Sequence, residues 1–232
     1  MQTEIPGQAR DDKTGKKKLL IATGNKGKYK EIMEVLHDLE GFEFVSLADL
    51  HLINDAEEDG KTYEENSLKK AKHFFKKIGL ITLSEDSGIE IEALKDELGV
   101  KTRRWGAGEN ASDKEWLVYF LERMRHEKNK RAKFICVSTI MWAYEGHDLI
   151  SGVARPRATH KMIQFRGETW GTLLDSPQCE IPHGIPISSV FLPDGEKEVY
   201  AVLSPHEKNK ISHRGKAMHE VKKFLEEKFS VL

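Results

Sequence analysis

Two adjacent carboxylates, Glu85 and Asp86, are the residues of this sequence whose types and spacing most directly predict chemistry. They follow an apolar run at 80–83 and precede a Ser-Gly pair at 87–88, after which residues 89–94 alternate between apolar and acidic. Such runs predict β-strands, and an open α/β sheet usually binds its ligand at a strand end. Neighbouring carboxylates there suit a hard divalent cation such as Mg²⁺. The alternative is a hairpin corner that carries solvated acids.

A second candidate site is an anion-binding loop near the start of the chain. Residues 18–23 are predicted to form a buried strand, and the sequence Gly-Asn-Lys-Gly-Lys at 24–28 interrupts it before a helix. A strand, a glycine turn and a helix N-terminus can bind an anion because backbone N–H groups and the positive helix end converge there. Lys26 and Lys28 add positive charge. The spacing differs from that of a Walker A motif.

Composition limits the classes of partner and compartment. The 232 residues include 37 Lys+Arg and 38 Asp+Glu, a net charge of -1, so no overall charge attracts nucleic acid or an anionic membrane, and any affinity for phosphate must be local. Cys136 and Cys179 cannot build a disulfide scaffold or a cysteine metal cluster, and a reducing cytoplasm is the simplest compartment. No apolar run has transmembrane length, and the N-terminus lacks the apolar core of a signal peptide.

The elements that must position these residues begin after a polar leader. Residues 1–17 show no periodicity and are predicted to be disordered, so the predicted domain spans 18–232 as a single unit of two lobes. Residues 42–47 are predicted to form a second strand. Thr62 and Glu65 form a capping box, so a helix is expected over 63–78. Its buried face is expected to carry Leu68, Ala71, Phe75 and Ile78.

The second half of the chain is expected to add a β-rich lobe. Ser112 is predicted to cap a helix whose apolar side consists of Trp116, Leu117, Phe120, Leu121 and Met124. Further strands, with a turn at 145–146 between the first two, are predicted at 134–144, 148–154, 165–171 and 199–203. A single C-terminal helix is expected to open at 207–215, with Ala217, Val221, Phe224 and Leu225 as its apolar stripe.

His213 and Arg214 stand at the start of that C-terminal helix. They could be an ordinary exposed pair. They could equally recognise the hydrogen-bonding edge of a ligand, since the guanidinium of Arg214 offers a planar fork of donors.

Four motifs in this order resemble those of the inosine triphosphate pyrophosphatase family, the Ham1-like or RdgB-like pyrophosphatases of non-standard purine nucleoside triphosphates. They are Thr-Gly-Asn-x-x-Lys at 23–28, Glu-x-Gly-x-Thr-x-x-Glu-Asn at 58–66, Glu-Asp-Ser-Gly at 85–88 and Lys-x-x-Ile-Ser-His-Arg-Gly at 208–215. The resemblance implies an elongated two-lobed α/β fold, with a central mixed β-sheet flanked by helices and a nucleotide cleft between the lobes. It also implies a homodimer and Mg²⁺-dependent hydrolysis of a nucleoside triphosphate to the monophosphate and pyrophosphate.

The resemblance assigns expected roles to individual residues. The expected substrate-binding residues are Thr23, Asn25, Lys28, Lys70, Ser87, Lys208, His213 and Arg214, with Ser212 in the last motif. Glu58, Asp86 and Glu85 are expected to bind Mg²⁺, and Asp86 is also the expected catalytic residue. Glu85 stands where the family usually has a second aspartate. The segment 102–104, Thr-Arg-Arg, resembles a degraded Ser-Ala-Arg motif.

The base-recognition segment departs from the family pattern. Where the family has Gly-Phe-Gly-Tyr/Trp-Asp-Pro, this chain has Ile185 and Ile187 at the aromatic positions and Ser188 at the aspartate position. The preceding residues, 175–183, also differ. The phosphate half of the site is therefore expected to be intact and the base half to be rebuilt.

Three hypotheses about function follow. The chain could be a pyrophosphatase for inosine or xanthosine triphosphates, a pyrophosphatase with altered or broader base preference, or a nucleotide-binding protein that has lost turnover. Retention of Glu58, Asp86, Lys28 and Lys70 argues against the third, because a pure binder needs no carboxylate to activate water.

Overall fold

The computed structural model describes residues 15–95, 97–100, 105–108, 110–150 and 153–229. Most of the predicted leader, 1–14, and the segment 102–104 lie outside the described residues. The first strand begins at Lys17, the last residue assigned to the leader.

The described part of the chain forms a six-stranded sheet and five α-helices. The strands are β1 (Lys17–Ala22), β2 (Phe42–Ser46), β3 (Ile81–Ile91), β4 (Arg131–Ile150), β5 (Val153–Leu173) and β6 (Phe191–Pro193). The helices are α1 (Lys26–Leu36), α2 (Tyr63–Ile78), α3 (Asp113–Met124), α4 (Pro205–Ile211) and α5 (His213–Phe229). Short 3-10 helices span Glu92–Leu94 and Pro186–Ser189. None of these described helices is both long enough and apolar enough to cross a bilayer.

The sheet is mixed, in the strand order β2-β1-β3-β4-β5-β6. β1 runs parallel to β2 and to β3, and every later pair is antiparallel. Helices cover both faces, so the predicted α/β fold with a mixed sheet flanked by helices is confirmed. The division into two lobes stays a prediction.

The alternation of side chains along β1 shows which helices cover which face of the sheet. Leu19 and Ile21 pack with residues of α1 and α5, whereas Leu20 and Ala22 pack with Phe74 of α2. We call these the α1/α5 face and the α2 face. The same alternation governs where each acid of β3 points.

The Ser-Gly pair at 87–88 does not turn the chain. β3 continues through it and pairs with β4 along nearly its whole length, so the hairpin-corner alternative is wrong. β1 ends with Ala22 opposite Ser84. The acid pair at 85–86 therefore lies in the middle of β3 but just beyond the carboxyl end of its parallel neighbour, which opens space for a ligand.

A predicted turn and a predicted strand are also wrong. The predicted turn at 145–146 is absent because β4 continues to Ile150 and pairs with a β5 that begins at Val153. Residues 199–203 form turns rather than a strand. Val199 and Tyr200 are nevertheless buried, and the Tyr200 N–H donates to the Phe191 carbonyl at 3.1 Å. Burial alone does not require a strand, since a turn that bonds to neighbouring backbone also satisfies its polar groups.

The helix predictions hold at the ends that carry capping residues. α2 begins after Thr62, whose hydroxyl accepts the Glu65 N–H at 3.1 Å, and it ends at Gly79 with a φ of 70°. The predicted capping box there is only half formed, because the Glu65 carboxylate accepts the N–H of Lys61 rather than that of Thr62. Ser112 and Glu115 form the capping box of α3. The predicted single C-terminal helix is in fact two, α4 and α5, because Ser212 adopts an extended backbone between them.

The buried face of α2 differs from the prediction. Leu68, Phe75 and Ile78 are only partly buried. The residues that α2 buries are Tyr63, Asn66, Ser67, Lys70, Ala71 and Phe74. An apolar pattern could not identify this face because three of its members are polar.

Candidate active site

One cavity of about 640 Å³ brings together nearly all of the predicted site residues. Those that line it are Thr23, Asn25, Lys28, Glu58, Lys70, Asp86, Ser87, Lys208, His213 and Arg214. Glu85 and Ser212 are fully buried and are not part of the lining. The two candidate sites of the sequence, the anion loop and the acid pair, are therefore parts of one site.

Asn25 organises the loop between β1 and α1. As the N-cap of α1, its Oδ1 accepts the backbone N–H groups of Gly27 at 2.9 Å and Lys28 at 3.1 Å. Its Nδ2 donates to the carbonyl of Gly184 at 3.0 Å, and the hydroxyl of Thr23 accepts the Asn25 N–H at 3.2 Å. Two backbone donors expected to face an anion are thus occupied by Asn25, so the Lys28 side chain becomes the loop's main contribution to anion binding.

Lys28, which lines the cavity, forms an ion pair with the buried Glu85, with 2.7 Å between Nζ and Oε1. Burial by itself would lower the pKa of Lys28, but the Glu85 carboxylate raises it above its ordinary value. Burial by itself would raise the pKa of Glu85, but Lys28 and Arg214 hold it well below its usual range. Both groups are therefore charged at neutral pH.

Arg214 is held by carboxylates from two elements. It contacts Glu85 on β3 at 3.5 Å and donates to the Ser87 hydroxyl at 2.9 Å, and it also forms an ion pair with Glu31 on α1. Glu31 in turn pairs with Lys208.

Glu31 lines the cavity, and sequence reasoning missed it. The signal was its spacing, since residues three apart share a helix face and Glu31 follows Lys28 by three in α1.

Asp86 points to the α2 face, away from this cation network. Its Oδ2 accepts from Asn66 Nδ2 at 3.0 Å, and its Oδ1 accepts the Ser87 N–H at 2.9 Å. Burial raises the pKa of the Asp86 carboxyl because it disfavours the charged form, although Lys28 and Lys70 oppose this effect. A raised pKa makes a carboxylate a better proton acceptor than an exposed aspartate.

Glu58 and Lys70 lie on the same side of the site as Asp86. Lys70 Nζ is 2.9 Å from Glu58 Oε1 and donates to the backbone carbonyl of Glu85 at 3.1 Å. Lys70 lines the cavity and is almost fully buried. Because little water surrounds this ammonium group, its attraction to an incoming polyanion is screened less than that of a surface lysine.

The residues present fit a hard divalent cation that is bound together with a polyanion. In the described ranges, no three His, Cys, Asp or Glu side chains cluster closely enough to hold a metal by themselves. Glu58 and Asp86 both line the cavity, and Mg²⁺ commonly takes one or two carboxylates with substrate phosphates and waters. Glu85 was expected in the same metal set, but its carboxylate lies on the other face of the sheet in contact with Lys28, and this position disfavours that role.

His213 is a neutral ring in an aromatic stack. It lies on Phe134 with 4.7 Å between ring centroids and an interplanar angle of 14°. Burial lowers the pKa of His213 well below its ordinary value, and the neighbouring Arg214 and Lys208 charges add to this effect. Its Nδ1 has no hydrogen-bond partner among the described residues. At neutral pH the ring is therefore uncharged.

The segment that was expected to recognise the base also lines the cavity, through Ile185, Ile187 and Ser188. Gly184 adopts a φ of 78° at the start of this segment. Its N–H donates to Asp113 Oδ2 at 2.8 Å and its carbonyl accepts from Asn25, so two hydrogen bonds fix the position of the segment. A Cβ at Gly184 would lie 2.9 Å from Asn25 Oδ1, so a side chain is excluded there.

Two aromatic residues that sequence reasoning did not assign to the site, Trp116 of α3 and Phe134 of β4, line the same cavity. Trp116 was identified only as part of the apolar side of its helix. Aromatic surface therefore reaches the cavity from elsewhere in the fold, although the two positions in the loop are isoleucine.

Comparisons with known proteins agree over nearly the whole chain. A model of the Ham1 family matches residues 19–224. A dITP/XTP pyrophosphatase of Deinococcus deserti is 38% identical over 203 residues, covering 87% of this chain and 86% of that protein. A dITP/XTP pyrophosphatase of Thermus thermophilus is 36% identical over 202 residues, covering 87% and 88%. The solved structure of a HAM1 protein from Coxiella burnetii aligns with a TM-score of 0.71 at 31% identity, covering 90% of this chain and 98% of that one.

Proposed function

The chain belongs to the Ham1 family, and from that premise we propose that it hydrolyses non-standard purine nucleoside triphosphates, such as dITP and XTP, to the monophosphate and pyrophosphate. The activity named for its relatives supports this assignment. The single observation that carries it is that Asp86, Glu58, Lys28 and Lys70 all line one cavity. A polyanion requires the cations, and hydrolysis requires a carboxylate that can accept a proton.

In the proposed reaction the triphosphate is held by Lys28 and Lys70, which contribute positive charge from opposite faces of the sheet. Asp86 orients a water molecule and accepts its proton as the oxygen attacks the α-phosphorus, and pyrophosphate leaves. Its two hydrogen bonds, from Asn66 and from the Ser87 N–H, hold the carboxylate in one orientation. Preorganised charge of this kind accelerates phosphoryl transfer because it needs no rearrangement in the transition state.

We propose Glu58 and Asp86 as the protein ligands of Mg²⁺. When bound, the ion would neutralise charge that develops on the phosphate oxygens. Lys70, 2.9 Å from Glu58, would hold that carboxylate in position before substrate arrives.

The base is proposed to lie against Ile185, Phe134 and the His213–Arg214 pair. Arg214 can donate to a keto oxygen of a purine, and a neutral His213 can donate or accept a hydrogen bond. Ser188 carries no charge and therefore restricts the base edge less than an aspartate would. This observation favours the second candidate function, a pyrophosphatase of the same fold with broader base specificity.

The deciding experiment measures pyrophosphate release from a panel of nucleoside triphosphates by the parent and by Asp86→Asn. The parent should release pyrophosphate fastest from inosine or xanthosine triphosphate, and Asp86→Asn should lose turnover while still binding nucleotide. Near-normal turnover by Asp86→Asn would remove this residue from the mechanism. A parent that binds nucleotide without turnover would favour the silent nucleotide-binding alternative.

We also propose, from the family resemblance alone, that the chain is a cytoplasmic homodimer. Sedimentation equilibrium would test the dimer, since a monomer at micromolar concentration would contradict it.

A further inference from the structure

Asn66, the last residue of the Glu-x-Gly-x-Thr-x-x-Glu-Asn motif, is fully buried in α2 and does not line the cavity of the described structure. Both ends of its side-chain amide are nevertheless occupied. Nδ2 donates to Asp86 Oδ2 at 3.0 Å, and Oδ1 accepts the backbone N–H of Gly60 at 2.7 Å. One side chain thus joins the proposed catalytic carboxylate to the loop that carries Glu58, two residues before Gly60.

The orientation of this amide follows from the chemistry of its neighbours. A backbone N–H can only donate, so the amide oxygen must face Gly60. The amide nitrogen must then face Asp86, where the ionised carboxylate can only accept. Neither end can exchange its role, and the side chain has one satisfied orientation.

The contact between Gly60 and Asn66 depends on the absence of a side chain at residue 60. A Cβ at Gly60 would lie 2.6 Å from Asn66 Oδ1 and 2.8 Å from Glu65 Cβ, and real Cβ atoms do not approach that closely. The loop therefore reaches α2 only because residue 60 has no side chain. One helical turn beyond Asn66, Lys70 contacts Glu58 itself at 2.9 Å, so the same face of α2 holds the loop twice.

We propose that Asn66 is a positioning residue that holds Asp86 and the Glu58 loop at a fixed separation, so that both carboxylates meet the same triphosphate and cation. The inference rests on the proposed pyrophosphatase function. Asn66 touches neither phosphate nor base in this scheme. Its loss should therefore lower kcat and weaken metal binding while leaving the KM for nucleotide nearly unchanged.

Asn66→Asp is the sharpest variant because it is isosteric. Its carboxylate can still accept the Gly60 N–H, but when ionised its second oxygen opposes the Asp86 carboxylate instead of donating to it. We expect kcat for inosine triphosphate to fall about 10–100-fold, as is usual when a group that supports a metal ligand is lost.

Gly60→Ala disrupts the same contact from the loop side and should raise the Mg²⁺ concentration needed for half-maximal rate. The double variant Gly60→Ala, Asn66→Asp should lose less than the product of the two single effects.

Ser67→Ala is the matched control. Ser67 is the next residue of α2, is equally buried, and bonds to Thr139 at 2.7 Å rather than to either acid. This variant should lose stability but keep the parent kcat and Mg²⁺ requirement.

Binding of Mn²⁺, followed by electron paramagnetic resonance with a non-hydrolysable triphosphate analogue present, provides a readout that does not depend on turnover. Weaker Mn²⁺ binding by Asn66→Asp and Gly60→Ala, with thermal unfolding no worse than that of Ser67→Ala, would support the inference. Parent-like kcat and Mn²⁺ binding in either variant would overturn it. If Asn66→Asp does not fold, the kcat and Mn²⁺ binding of Gly60→Ala alone test the inference. Failure of the parent to release pyrophosphate would instead reject the proposed function, while the Mn²⁺ comparison would still test Asn66.

Discussion

Glu85 and Asp86 are consecutive residues of β3, yet their carboxylates lie on opposite faces of the sheet. Glu85 contacts Lys28 of α1 and Arg214 of α5, whereas Asp86 bonds to Asn66 of α2. Period-two alternation along an unbroken strand requires this separation. The two acids therefore serve different partners, and only Asp86 lies on the same side as Glu58.

Glu85→Gln should leave the proposed Mg²⁺ requirement unchanged, because the Glu85 carboxylate faces two cations rather than the proposed metal ligands. Glu58→Gln should raise that requirement by about tenfold or more. The two variants are compared by measuring the initial rate at saturating substrate over a range of Mg²⁺ concentrations. If both variants raise the Mg²⁺ concentration for half-maximal rate equally, Glu85 is a metal ligand as well.

Glu85→Gln should also destabilise the fold by about 3–5 kcal/mol, the usual cost of removing one partner from a buried ion pair, since it leaves Lys28 without its counter-charge. Glu85→Asp keeps the charge and should lose less. Urea unfolding of the two variants provides the measurement, and a Glu85→Gln protein as stable as the parent would show that the ion pair contributes little.

Lys28→Ala should reduce kcat/KM about 10–100-fold for every nucleoside triphosphate alike, because the lost charge-assisted contact is to the phosphates that all of them share. Lys26→Ala is the control on the same loop, since Lys26 is exposed and does not line the cavity of the described structure. It should stay within about twofold of the parent. A Lys28→Ala enzyme that changed only its base preference would show that this loop faces the base.

Ile185→Phe should raise selectivity for inosine triphosphate over adenosine and pyrimidine triphosphates, and Ile185→Phe, Ser188→Asp should raise it further. An aromatic ring offers a base stacking worth about 1–3 kcal/mol, and an aspartate restricts the base edge. Ser188 is almost fully buried, so the single Ile185→Phe variant should be measured separately. The measurement is the ratio of kcat/KM for inosine triphosphate to kcat/KM for the adenosine and pyrimidine triphosphates. If the parent is already strongly selective and neither variant changes this ratio, the segment does not recognise the base.

The free energy of unfolding should fall as the pH drops below about 6.5, in part because of His213. Burial holds the pKa of His213 well below its ordinary value of 6.5. Above pH 6.5 the ring is neutral in both states. Below it the unfolded chain binds a proton that the folded chain does not, which costs up to about 1.4 kcal/mol per pH unit until the folded pKa is reached.

The variant His213→Gln should flatten this dependence. Urea unfolding between pH 5.5 and 7.5 provides the measurement. A slope that survives in His213→Gln would assign the effect to other groups.

Local hydrogen bonds explain what the sequence by itself determined. The start of α2 at Thr62 and of α3 at Ser112 could be predicted, because a capping side chain bonds to backbone only three residues away. The family resemblance carried by the four motifs predicted the α/β fold and nearly all of the predicted site residues that meet in the cavity. Each of these inferences depends on neighbours in the chain or on a spacing that can be read directly.

Only the tertiary structure decided what the polar residues of those elements contact. In the sequence, Ser-Gly at 87–88 resembles a turn. In the structure this segment stays extended because β4 pairs with β3 along it. Glu31 joins the site because α1 and α5 pack on the same face, where it meets Arg214. Asn66 is buried although it is polar, because Asp86 and Gly60 satisfy both ends of its amide. Contacts between residues 20 to 183 positions apart carry no periodic signal in the chain, and they form only when the sheet brings distant segments together.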